Sequence, residues 1–78
     1  MRQKKDYCIM TFATTEDALA MEEFCRQQNI PGRIIPLPGD VAAGCGLCWR
    51  MTPEEARQWK PALQKQKIQG VYTIQMWG

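Results

Sequence analysis

The sequence predicts an α+β fold, a four-stranded antiparallel sheet with two helices on one face, in the order β-α-β-β-α-β. Three observations predict it. Apolar runs rich in aromatic and β-branched residues lie near both ends, "YCIMTFA" at 7–13 and "VYTIQMW" at 71–77. Two helix starts are signalled by threonine followed by acidic residues, "TTED" at 14–17 and "TPEE" at 52–55. Between them, "RIIPLP" and "LCWRM" are short strand-like segments separated by the small-residue loop "GDVAAGCG".

The first strand covers 7–13. Thr14 caps the helix that follows, with Thr15, Glu16 and Asp17 in its electropositive first turn. At 100° per residue, Ala18, Ala20, Met21, Phe24 and Cys25 are expected on its inner face, and the helix should stop near Asn29, before Pro31-Gly32. The prolines of "RIIPLP" (33–38) cannot donate to a ladder, which places that strand at a sheet edge or ends it early. "LCWRM" (47–51) is the third strand. The second helix has Thr52 as cap, Pro53 at its first position and Glu55 closing a capping box, and Pro61 predicts a kink or break near Trp59. Gly70 leads into the last strand. The whole is the split βαβ pattern of ferredoxin-like folds, one domain over residues 1–78.

Composition limits the function classes. A chain of 78 residues buries only about 60% of its unfolded surface, so the core is thin. The net charge of +2 is too small to argue for nucleic acid, and neither "LCWRM" nor "VYTIQMW" matches an aromatic RNA-binding pattern. No run approaches the roughly 20 apolar residues of a membrane span. The apolar stretch after "MRQKKD" stops at "TTED" without a cleavage pattern. Neither nucleic acid nor membrane is therefore expected as a partner. The expected location is cytoplasmic, where the four cysteines stay reduced.

Strand alternation predicts where the thiols point. Cys8, Met10 and Phe12 should face the helices, and Tyr7, Ile9 and Thr11 the open side of the sheet. Cys8 and Cys25 then read as small buried hydrophobes. Cys48 is expected on the open face beside Arg50, and Cys45 in an exposed loop at 39–46.

The chemistry rests on "GCGLC", residues 44–48. In a thioredoxin-like site a CxxC opens a helix, whose partial positive charge lowers the first thiol's pKa. Here Cys45 precedes the helix cap at Thr52 by seven residues, with a strand between. An extended 45–48 segment also holds its end Cα atoms about 10 Å apart, beyond the roughly 7 Å a disulfide allows, unless Gly46 turns the chain. Structural zinc wants four ligands. Histidine is absent, Cys8 and Cys25 form no second CxxC, and any metal would have to be shared across a homodimer, so no metal or other cofactor is expected. A carrier thiol fits better. Gly44 and Gly46 permit positive φ, can turn N–H groups toward the sulfur and leave room for an approaching enzyme. Arg50, if the loop folds back over the open face, would lower the thiol pKa.

Several blocks resemble a family of small bacterial proteins of Se/S carrier-like type. They are "TF" at 11–12, "DALAME" at 17–22, "IPGRIIPLP" at 30–38, "CGL" at 45–47 with Arg50, and "GVYTI" at 70–74. The "CGL" block is the most specific. The resemblance implies that Cys45 carries sulfur or selenium as a persulfide or perselenide. It also suggests that Cys48 stands where many relatives have a small apolar residue, making it an added thiol able to resolve the persulfide. The reading is a carrier more than a stand-alone enzyme. A cysteine desulfurase or selenocysteine lyase-like donor loads it, and an unidentified protein accepts. Alternatives are a thiol-disulfide oxidoreductase using Cys45 and Cys48, and a non-catalytic protein-binding module.

Overall fold

The computed structural model describes residues 3–39, 41 and 44–77. The elements follow the expected order: β1 (Lys4–Thr11), α1 (Thr15–Gln28), β2 (Arg33–Pro36), β3 (Leu47–Met51), α2 (Pro53–Gln58), α3 (Lys60–Leu63) and β4 (Gly70–Trp77). The strands form one antiparallel sheet in the order β2-β3-β1-β4, consistent with a ferredoxin-like split βαβ arrangement. β2 is an edge strand, as its prolines require.

Local chemistry sets the helix ends. The Thr14 hydroxyl accepts the Asp17 N–H, and α1 ends on Asn29 in the left-handed region at φ 57. Thr52 and Glu55 form the reciprocal capping box ahead of α2. Such a cap contributes roughly 0.5–2 kcal/mol. Pro61 has no N–H for the carbonyl four residues back, and the helix breaks at Trp59 before resuming with the Leu63 N–H on Trp59 O.

The core lies between sheet and helices. Cys8, Met10 and Phe12 of β1 and Trp49 and Met51 of β3 meet Ala18, Met21 and Cys25 of α1 and Leu63 of α3. Among the described residues, no helix is long and apolar enough to cross a membrane.

Three expectations are corrected. Ala20 is exposed, because two residues from Ala18 is 200° around the helix rather than beside it. Ile9 and Thr11 are fully buried although they lie on the side away from the helices. So is Cys48, the cross-strand partner of Thr11. Long side chains of the sheet cover part of that side. Ile9 stands between Arg50 and Tyr72 on the neighbouring strands, and the Tyr72 ring leans back over Gly70 toward Thr11. The loop expected exposed at 39–46 is mixed: Val41 is buried, Cys45 is half-buried, and Gly39, Gly44 and Gly46 are exposed. Positions 40, 42 and 43 of that loop lie outside the described residues.

Candidate functional site

Cys45 is held by backbone hydrogen bonds at the edge of the sheet. Its own N–H donates to Phe12 O at 3.0 Å, just past the end of β1. Leu37 N–H donates to Gly46 O at 2.9 Å, closing the β2–β3 hairpin, and Gln69 N–H donates to Thr11 O at 2.7 Å beside it. The thiol thus rides on a fixed segment at the sheet's end.

The flanking glycines are needed for different reasons. Both have positive φ, 66° at Gly44 and 89° at Gly46, as the spacing predicts. A Cβ on Gly44 would run into Phe12 O and the Gln69 side chain, whereas one on Gly46 would meet open space. Gly46→Ala therefore carries backbone strain alone, about 1–2 kcal/mol. Gly44→Ala adds a collision with main chain and is expected to cost roughly 3 kcal/mol or more. Denaturant unfolding of the two variants checks this, and equal losses would show that Gly44 is not pressed against β1.

The two thiols of the CxxC do not face each other as a pair. All four cysteines are free. Cys45 packs against the helix-side core, half-buried, and its Sγ donates to Leu47 O at 3.8 Å. Among the described residues, that sulfur's polar contact is with a carbonyl rather than with the expected N–H groups. Cys48 lies on the other side of the sheet with Sγ 3.9 Å from Pro36 O, and it is fully buried rather than open. Burial pushes its thiol up to about 11, against a downward pull from Arg50 and with a further upward push from Cys45. Arg50 is on that same far side, its guanidinium stacked over the Tyr7 ring at 4.5 Å. Its charge acts on Cys48, and the expected fold-back of the loop that would bring it to Cys45 is not seen.

Cys8 and Cys25 are buried in the core, as expected of small hydrophobes. Burial raises the Cys8 thiol above its usual range and takes Cys25 from 9.0 to about 11. The sign for stability follows. The unfolded chain loses the Cys25 and Cys48 protons near pH 9 and the folded chain only near pH 11, so N binds more protons than U between them. The stabilisation is whole below pH 9 and is lost as pH rises through 11. Urea midpoints are expected to fall steadily from pH 9 to 11, less steeply in Cys25→Ala. An identical slope in that variant would remove the buried thiols as the cause.

Among the described residues no group of three or more His, Cys, Asp or Glu side chains is arranged to hold a metal ion. The structure thus brings Gly44, Cys45 and Gly46 together with Phe12 O and Gln69, and separates them from Cys48 and Arg50. Phe12 O and Gln69 escape sequence reasoning because a backbone acceptor carries no residue signature. The one available hint is the glycine before Cys45.

A family model described as "Putative Se/S carrier protein-like" matches residues 7–73. No curated protein and no solved structure matches the chain.

Proposed function

The chain belongs to the Se/S carrier protein-like family, and from that membership we propose that Cys45 is the atom-carrying thiol. One observation supports this above others: of the four cysteines, three are buried and only Cys45 is partly open, on a segment tied to β1. A donor persulfide, Cys–S–SH on a desulfurase-type enzyme, presents its outer sulfur. The Cys45 thiolate attacks that sulfur, the S–S bond of the donor breaks, and the donor cysteine leaves as thiolate. Cys45–S–SH results with no net oxidation, and an acceptor nucleophile takes the outer sulfur by the same exchange. Selenium follows the same steps as S–SeH.

Gly46 serves access. With no side chain at 46, where a Cβ would point into open space, a donor's active-site wall can close around the sulfur. The dithiol redox reading has less support, because Cys48 is buried on the far side of the sheet and protonated well above neutrality. The expected cytoplasmic setting suits a thiol that must stay reduced between transfers.

Intact-mass measurement tests the proposal. After incubation with a cysteine desulfurase and cysteine, the protein is expected to gain the mass of one or more sulfur atoms, removed again by a reductant. A loss of two hydrogens under mild oxidant, with no sulfur gain from the desulfurase, would overturn it in favour of a Cys45–Cys48 disulfide.

A further inference from the structure

We propose that two copies of this chain pair through β4, edge to edge and antiparallel, with Ile74 on the twofold axis. β4 is the sheet's other edge, and half of its N–H and C=O groups point away from β1. Edge strands ordinarily defend themselves with lysine, proline, a bulge or short length. This one is eight residues long, "GVYTIQMW", with no charge and no proline. Its neighbour toward the core, β1, carries Lys4, Lys5 and Asp6, so the charges sit one strand in from the edge.

The face pattern of β4 is self-complementary. Pleat alternation puts Val71, Thr73, Gln75 and Trp77 on the helix side and Tyr72, Ile74 and Met76 on the other. In a twofold pairing centred on Ile74, Val71 lies opposite Trp77 of the second copy and Trp77 opposite its Val71. Thr73 meets Gln75, Tyr72 meets Met76, and Ile74 meets itself. Every apolar side chain finds an apolar partner and every polar one a polar partner. Val71 is 61% and Trp77 59% exposed in the single chain, and this register lets each cover the other. Aromatic and β-branched residues placed opposite are among the stabilising cross-strand pairs.

The helix side supplies a seat for the indole. Because the second helix is short and broken at Trp59, it leaves a groove of about 630 Å³ between α2, α3 and the β1–β4 pair. Cys8, Met10, Leu63, Ile68 and Val71 line it. Trp77 of the second copy, opposite Val71, stands at the rim of that groove. In the single chain Lys4 lies over the Trp77 ring at 5.5 Å, and the indole is still 59% exposed. The second copy therefore supplies both the missing strand and an aromatic side chain for the groove. Its Lys4 and Lys5 lie at the opposite end of the shared sheet from the first copy's, toward the groove that Arg57 and Lys60 also line.

Sedimentation equilibrium in reductant, from micromolar to several hundred micromolar protein, is the test. The unaltered chain is expected to reach twice the chain mass. Val71→Lys and Trp77→Lys, both at exposed positions, should keep the fold by circular dichroism and raise the dissociation constant about tenfold or more. Ile74→Cys, in a Cys45→Ser background, should cross-link to itself under mild oxidation, whereas Thr73→Cys should not. A monomer throughout that range, or a dimer indifferent to both lysine variants, would overturn the proposal. A dimer that Thr73→Cys cross-links and Ile74→Cys does not would overturn the register.

Discussion

Cys45→Ser is expected to take up no sulfur from a desulfurase and cysteine, while Cys48→Ala is expected to load as the unaltered chain should. The asymmetry follows from where the structure puts the two sulfurs. Cys45 is half-buried at the end of β1, its N–H bonded to Phe12 O, and it presents the only thiol with an open side. Serine keeps the backbone bonds and the shape but has no sulfur to form a persulfide, so loading falls to background with the fold intact. Cys48 is sealed beneath the opposite side of the sheet, its thiol donating to Pro36 O. Alanine there removes one buried sulfur at a stability cost of about 1 kcal/mol and touches nothing a donor meets.

The lifetime of the adduct carries a second, sharper consequence. A resolving thiol must attack the inner sulfur of Cys45–S–SH, forming a disulfide and releasing HS⁻. Cys48 is the residue that the CxxC spacing offers for that role. Burial holds its proton to about 11 and its side chain lies on the side away from the core that Cys45 packs against, so Cys48→Ala is expected to lengthen the adduct's life little or not at all. The measurement is the loaded fraction against time for both variants. If Cys48→Ala loses loading as completely as Cys45→Ser, the thiols act as a unit and a dithiol redox function replaces the carrier.

The parts of this molecule that were legible in sequence are those governed by neighbours in the chain. Thr14 and Asp17, Thr52 and Glu55, and Pro61 act over three or four residues, and each helix end or break falls where they dictate. Strand β3 occupies "LCWRM", and its alternation assigns Trp49 and Met51 to the core. Alternation gives the side on which Ile9, Thr11 and Cys48 lie, but not what covers that side. The burial of Ile9 and Thr11 involves Tyr72 leaning over Gly70 and Arg50 lying across Tyr7, contacts made between strands far apart in sequence. Cys45 was legible as a thiol between glycines, whereas its tie to Phe12 O was not, since any residue's carbonyl could have served. Arg50 misleads for a related reason. Five residues from Cys45 along the chain, it sits across the sheet from it in space.

Brief iodoacetamide treatment of the folded protein is expected to label Cys45 faster than Cys8, and at least about 100-fold faster than Cys25 or Cys48. Two independent causes contribute. The reacting species is the thiolate, and a shift from 9.0 to about 11 leaves Cys25 and Cys48 with about 100-fold less of it near pH 8. Cys25 and Cys48 also have no exposed surface and Cys8 only 5%, so a reagent reaches them through opening of the core or of the roof over the sheet. Raising the pH toward 11 removes the first cause and leaves the second, so the contrast narrows but persists. Urea above the unfolding midpoint removes both and equalises the four rates. Peptide mapping of the alkylated sites against time gives the rates directly. Labelling of Cys48 as fast as Cys45 would mean that Tyr72, Arg50 and the hairpin do not stay closed over the sheet. The resolving role for Cys48 would then return, because a face that opens to iodoacetamide also frees Cys48 to swing toward the persulfide three residues away in the chain.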